Sequence, residues 1–338
     1  MYTRVAMAFA SLLPISRALS FKRGERLVRQ GEASRGAFVI RSGRAAAEVA
    51  LPGGGMLTVA EFGAGDVFGE MALVERGVCS ASVSAITDVE AAFVEREDFR
   101  ALVASRDSSA LEVQRALTNV LAGKLRTLNA KVRSFPSAED RAPSEAPMVD
   151  LAQAKAPAFD WRAFLPLLRF FEGFDRREID EVVAIARPLE LPRGAWIFAA
   201  GEPATSCLLV VRGAIEVLAR NGRLERRVAI AGPGELVGYL AALDNAKHAA
   251  SARARERTTL LELPAERFGT LYGSGSRTSV RLQHAIHASL LRSLTRTNHL
   301  LARLISHARL TDAARQAAEL ESALHGQIVR SDENVNSS

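Results

Sequence analysis

The chain has 338 residues, 48% of them hydrophobic and 24% charged, which is the composition of a globular protein large enough for two cores. Cys79 and Cys207 are its only cysteines; with no CxxC pair they exclude a disulfide scaffold, an iron–sulfur cluster and a cysteine-rich zinc site. The net charge of +6 permits an anionic partner without demanding one, and no run of apolar residues is long enough to span a bilayer.

Segment 1–20 has an apolar stretch from Val5 to Ile15, but the basic region before it is one arginine, Arg4, and the stretch is interrupted by Pro14. It reads as a short helix packed on the first domain rather than a signal peptide, which places the protein in the cytoplasm. Short half-apolar runs bounded by turn residues follow at Glu25–Arg29, Gly36–Ile40, Arg44–Ala50, Met56–Glu61, Ser82–Ala85 and Val89–Glu95. These predict antiparallel strands, with Pro52-Gly53-Gly54-Gly55 as a hairpin tip. In 109–132, Leu117, Leu121, Leu125, Leu128 and Val132 keep the three- and four-residue spacing of one helix face. Ser134–Pro157, with four prolines, predicts a flexible linker. Phe159–Phe171 and Arg176–Ala186 then read as helices leading into a second set of strands. Leu290, Leu294, Leu301 and Ile305 mark a helix over 277–308, and Thr311–Arg330 a polar helix before a frayed end.

The chain repeats itself. Gly24, Gly31-Glu32 and Gly43 recur 170 residues later as Gly194, Gly201-Glu202 and Gly213. From Ala60 the offset is 169, with ten identities across residues 60–100 against about three expected from background composition. The flanking helices follow the same offset: Leu121, Leu125 and Asn129 match Leu290, Leu294 and Asn298. The organisation expected is an α+β chain of two antiparallel, jelly-roll-like β-roll domains flanked by helices. Domain 1 covers 1–133, the linker 134–157, domain 2 158–310, and a terminal helix and tail 311–338.

The stretch Phe21–Val49, the cassette Gly65-Asp66-Val67-Phe68-Gly69-Glu70-Met71-Ala72-Leu73 and the run Cys79–Ala85 resemble the cyclic nucleotide-binding domain family. That family includes catabolite activator protein and the regulatory subunits of cyclic-AMP-dependent protein kinase. The second half repeats the match at Gly234–Ala241 and His248–Ala254. The resemblance implies a glycine that lets the backbone approach a cyclic phosphate, a short helix behind it, a glutamate on the ribose hydroxyl and an arginine about nine residues later on the phosphate. In repeat one Gly69, Glu70, Met71 and Ala72 fit the first part and Ser80 and Ala81 the last, while Cys79 stands at the arginine position. In repeat two Gly238 fits, with Ala249 beside the phosphate position, but Tyr239 replaces the glutamate and His248 the arginine. A charge-assisted bond to phosphate contributes about 1.5–3 kcal/mol, so its loss weakens binding by roughly 10- to 100-fold.

Repeat one is therefore the expected sensor of cyclic AMP or cyclic GMP, a weak one, with Arg76 able to swing in for the missing charge. Repeat two is the expected degenerate copy, where a protonated His248 could still meet a phosphate below about pH 6.5. Ligand in the first roll would shift helix 109–132 and alter contact with a protein partner, whose identity is unknown. The leucine-rich helices could also pair two copies of the chain. Cys79 reads as a small filler and Cys207 as core. His284 and His287 share a helix face with no carboxylate at ligand spacing, so no metal is expected. No GxSxG, GxxxxGK[ST] or HExxH motif is present, and neither an enzyme nor a cofactor is expected. Two alternatives remain: a scaffold that binds partners with both pockets degenerate, and docking of nucleic acid on helix 277–309. That helix carries Arg277, Arg281, Arg292, Arg296, Arg303 and Arg309 and no acid. Nucleic acid is the less favoured partner, since no aromatics interleave with the arginines and no helix-turn-helix follows either roll.

Overall fold

The computed structural model describes residues 8–50, 56–134, 141–142, 148–221, 224–301 and 303–304. In repeat one, strands β1 (Arg17–Phe21), β10 (Val89–Glu95), β4 (Gly36–Ser42) and β7 (Val67–Phe68) make one antiparallel sheet. A second sheet runs β2 (Arg26–Val28), β9 (Ser82–Ala85), β5 (Ala45–Ala50) and β6 (Met56–Phe62), and the short β3 (Ala33–Ser34) pairs with β8 (Gly77–Val78) beside them. Alternation along β4 explains its uninterrupted apolar run. Phe38 and Ile40 turn toward the second sheet with Leu27, Ala47 and Val83, while Ala37 and Val39 turn toward the helices with Leu73 and Val103. Phe9 and Leu12 of the leading segment lie in that helical core, so this part of the chain packs on the first domain as expected.

Repeat two has the same strand order. The strands β11 (Arg187–Leu191), β18 (Thr258–Pro264), β13 (Ser206–Arg212) and β16 (Leu236–Val237) form one sheet. The other holds β12 (Trp196–Phe198), β17 (Ser251–Ala254), β14 (Ile215–Asn221) and β15 (Leu224–Ala231). Even an irregularity recurs: the register shift at Ala47/Glu48 in repeat one returns at Val217/Leu218 in repeat two. The two mixed helix and antiparallel-roll halves are thus copies of one architecture.

The predicted strands of repeat one lie within two residues of their expected bounds, and a further strand, β1, begins at Arg17 inside the segment expected to be helical. Phe159–Phe171 is not a helix but two 3-10 turns, Arg162–Leu167 and Arg169–Phe171, because Pro166 cannot donate within an α-helix. The expected linker is not wholly free. Met148 bridges to Trp196 and Lys155 to Glu190, and Arg187 donates to the carbonyls of Leu151 and Ala152, which lays residues 148–155 along the second roll. The hairpin tip Pro52–Gly55, Ile305 and the helix expected at Thr311–Arg330 lie outside the described residues.

Helices α1 (Met71–Val74), α2 (Arg96–Ala104) and α3 (Ser108–Ser134) follow the first roll's last strands or sit between them; α4 (Arg176–Ala184), α5 (Tyr239–Leu243), α6 (Ala265–Gly273) and α7 (277–301) belong to the second half. The first part of α3 packs on roll one through Val113 and Leu117, and the next turns reach the second half through Leu121, Ala122 and Leu125. There they meet Leu282, Ile286, Leu290 and Leu294 of α7. Of the leucine seams expected to pair two copies of the chain, Leu121, Leu125, Leu290 and Leu294 are therefore buried against each other within one chain. At the crossing, Thr118 Oγ1 lies 2.6 Å from the Tyr272 hydroxyl and 2.7 Å from His287 Nε2, a buried polar junction between the halves.

Three arginines of α7 are also engaged. Arg277 Nε sits 2.9 Å from Glu178 Oε1, Arg281 3.8 Å from the same carboxylate, and Arg296 2.7 Å from Glu235. Three of the six arginines expected to form a phosphate track are thus paired with carboxylates of their own domain, which lowers the charge left for a polyanion.

Candidate functional site

A cavity of about 720 Å³ opens beside the first roll. Its wall is built at the β7–α1 corner, where the chain turns through Gly69 at φ +71°. A Cβ there would stand 2.8 Å from the Gly36 carbonyl oxygen, so the position requires glycine. Glu70 follows, then Met71 and Ala72 in the single turn of α1; Met71 is partly exposed and Ala72 is buried. Arg96 holds this turn from behind: its guanidinium, itself buried, donates to the carbonyls of Ala72 and Ser34. Cys79, Ser80 and Ala81 form the opposing lip, so all seven residues singled out in repeat one line one cavity.

Two features of this site differ from expectation. The Glu70 carboxylate is buried and ion-paired with Lys124 Nζ of α3, a residue that sequence reasoning did not select. Arg76 is at the cavity lip but pairs with Glu97 at 3.3 Å in an exposed bridge. Such a bridge contributes only about 0–1 kcal/mol, so it restrains Arg76 weakly. Leu291 and Thr295 of α7 complete the wall, which brings the second repeat's helix to the first repeat's cavity. No local motif marks Lys124, Leu291 or Thr295; only the pairing of the two helices, a long-range event, delivers them.

The backbone establishes which residues correspond in the two halves. Cys79 donates to the Glu32 carbonyl and accepts from Gly31, and His248 makes the same pair with Glu202 and Gly201. Ser82 Oγ accepts from Gln30 as Ser251 Oγ accepts from Ala200. The expected equivalence of Cys79 and His248 therefore holds in the hydrogen bonding itself.

Around Gly238 (φ +78°) the second corner is filled. A Cβ on it would meet His248 Cε1 at 3.1 Å and Phe198 Cε1 at 3.4 Å, side chains that have no counterpart over Gly69. The His248 ring stacks on Phe198 with centroids 3.7 Å apart and planes 8° from parallel. Burial pushes the His248 pKa down, against an opposing pull from Glu202, which disfavours the imidazolium expected to meet a phosphate. Tyr239, in place of the glutamate, is buried, and desolvation pushes its hydroxyl up to about 12. A separate cavity of about 310 Å³ lies beside these residues, with Ala249 at its rim. Cys207 is fully buried in the second half's helical core and Cys79 is half-buried, as expected.

The family model described as "Cyclic nucleotide-binding domain" matches twice, at residues 18–106 and 188–274, together more than half of the chain. The chain belongs to the cyclic nucleotide-binding domain family. Both matches end before the helices that pair, so the family domains are the rolls and their immediate flanks. The chain is 35% identical over 94 residues to the cyclic AMP receptor protein of Thermus thermophilus, covering 28% of this chain and 44% of that one. It is 32% identical over 142 residues to the transcriptional activator protein anr of Pseudomonas aeruginosa, covering 42% of this chain and 50% of that one. The chain thus spans about half the length of the curated relatives it matches. Among solved structures, the regulatory domain of Toxoplasma gondii PKA with cAMP aligns over 80% of this chain and 85% of that one, at 20% identity and TM-score 0.32. No described helix is long and apolar enough to cross a membrane.

Proposed function

We propose that the chain is a regulatory protein, without catalytic activity, whose first roll senses cyclic AMP or cyclic GMP and whose second roll does not. In this reading Glu70 accepts the ribose hydroxyl, and the backbone from Gly69 to Ala72 with Ser80 and Ala81 surrounds the cyclic phosphate. The observation that carries it is the Glu70–Lys124 pair. The carboxylate a ribose would engage is the one that tethers α3, so ligand and helix compete for one acceptor. Ligand on Glu70 releases Lys124, and a rearranged α3 moves its partner α7 and the surface the two helices present. With Cys79 at the arginine position, binding is weak unless Arg76 leaves Glu97 for the phosphate.

The second roll lacks the carboxylate, and His248 and Phe198 occupy the space before Gly238. This favours its reading as a copy that no longer takes a cyclic nucleotide. Calorimetric titration of the full chain with cyclic AMP and cyclic GMP, alongside Glu70→Ala, tests the assignment. One saturable site lost in Glu70→Ala supports it; no heat at millimolar ligand from the folded protein refutes sensing and leaves a partner-binding scaffold.

A further inference from the structure

The cavity of the second roll has its own chemistry. Phe198, Val217, Ile230, Leu236 and Val237 supply an apolar wall, to which the His248 ring, lying flat on Phe198, adds an aromatic face. The Tyr239 hydroxyl is buried at this wall and faces Ser293 of α7 without reaching hydrogen-bond geometry. At the mouth, α3 contributes Arg126 and Arg133, the loop before β17 Lys247, and α7 Arg296.

Two of these cations are already neutralised, Arg126 by Asp244 and Arg296 by Glu235. Arg133 donates only to a neutral acceptor, the Ala249 carbonyl at 3.1 Å. Among the described residues no carboxylate pairs with Arg133 or with Lys247. The site therefore joins an apolar slot, the buried Tyr239 hydroxyl and two cations at its lip that no described carboxylate neutralises.

A cyclic nucleotide suits this poorly, because its ribose would meet Tyr239 instead of a carboxylate and its phosphate would meet His248 and Phe198. A molecule with an apolar body and one terminal anion suits it well: the body removes the slot from water, and the anion reaches Arg133. We infer that the second roll binds a small amphipathic carboxylic acid, with its carboxylate on Arg133 and Lys247 and its apolar body against Phe198, Val217 and Leu236.

The test is titration calorimetry of the full chain with decanoate, with decanol as the uncharged probe and cyclic AMP as competitor. The expected result is one saturable decanoate site that cyclic AMP does not displace and Glu70→Ala does not alter, which separates this site from the proposed sensor in roll one. Arg133→Gln is expected to weaken decanoate about tenfold while leaving decanol unchanged, the loss of one charge-assisted bond. Ala249→Trp, at an exposed position on the rim, is expected to abolish both. Both variants are checked by thermal melting; should Ala249→Trp lower the melt, the Arg133→Gln comparison of decanoate with decanol decides alone. Absence of saturable binding, equal binding of the two probes in Arg133→Gln and in the parent chain, or displacement by cyclic AMP would each overturn the inference.

Discussion

Thr118 on α3 and His287 on α7 stand 169 residues apart, at equivalent positions of the two repeats, and their side chains touch at 2.7 Å. A residue meets its own counterpart only near an axis that exchanges the two copies. The helices of the two repeats therefore cross about an approximate two-fold axis at this point, inside a single chain. The arrangement explains why each cavity is walled by both helices. Lys124 and Thr295 border the first cavity, while Leu125, Arg126, Ser293 and Thr297 border the second.

The junction is a sensitive place for substitution. Thr118→Val keeps the volume but leaves the buried Tyr272 hydroxyl and His287 Nε2 without the oxygen they share. We expect a loss of about 2 kcal/mol in unfolding free energy, measured by urea denaturation. A change below a few tenths of a kcal/mol would mean that the junction does not bind the halves together.

Acid should loosen the same region. Burial brings His287 down to about 3 and His284 to about 4, the latter also repelled by Arg100 and Arg281. In the unfolded chain both take up protons near pH 6.5. Depressed folded values mean that the unfolded state binds more protons below that pH, so stability is intact above 6.5 and falls as pH drops toward 4. The expected decline from pH 7 to pH 5 is about 2 kcal/mol for each histidine. Denaturation curves of His284→Gln and His287→Gln should be flatter across this window than those of the parent chain.

Restoring the family's missing charge should strengthen the proposed sensor. Cys79 is half-buried at the cavity lip, so an arginine there has room to face the phosphate position. Cys79→Arg is expected to tighten cyclic AMP binding by about 10- to 100-fold in a calorimetric titration. Unchanged affinity would show that the phosphate is not held at this lip.

Releasing Glu70 from its tether makes the opposite kind of test. Lys124→Met leaves the buried carboxylate without its counterion, which lowers the melting temperature and frees the acceptor that ribose requires. If helix and ligand compete, this variant binds cyclic AMP about tenfold more tightly, a shift of about 1.4 kcal/mol. Weaker binding would instead make Lys124 part of the ligand site.

The cradle itself can be probed at Gly69. A methyl group would meet the Gly36 carbonyl oxygen at 2.8 Å on a backbone already at positive φ. Gly69→Ala is expected to cost about 1–2 kcal/mol and to reduce nucleotide binding together with stability. A melt that stays put while affinity falls would separate the cradle's shape from the fold's strength.

The repeats, the strands and the residues lining the first cavity were legible because each rests on local signals: turn glycines, alternation and a cassette of adjacent residues. Gly69–Ala72 and Cys79–Ala81 meet across only a few residues of chain, and the structure brings them together as expected. What could not be read was the partner of each leucine seam. Periodicity identifies an apolar face on α3 and another on α7, but it is silent on whether they meet each other or a second molecule. The same gap hid Lys124, whose role depends on how α3 lies across roll one. The partners of Arg277, Arg281 and Arg296 were hidden for a related reason, since Glu178 and Glu235 reach them from elsewhere in the fold.

Joining the two rolls in one polypeptide also changes what evolution can do with them. A symmetric dimer encoded by one gene carries every substitution twice, so its two sites must remain identical. In this chain the approximate two-fold axis is kept by Thr118, His287 and the buried leucines, while the residues away from it have been free to part company. Glu70 faces Tyr239, and Cys79 faces His248, as counterparts under a symmetry that no longer binds them. The chain is in effect a heterodimer that cannot dissociate or mispair, with two unlike cavities walled by one pair of helices.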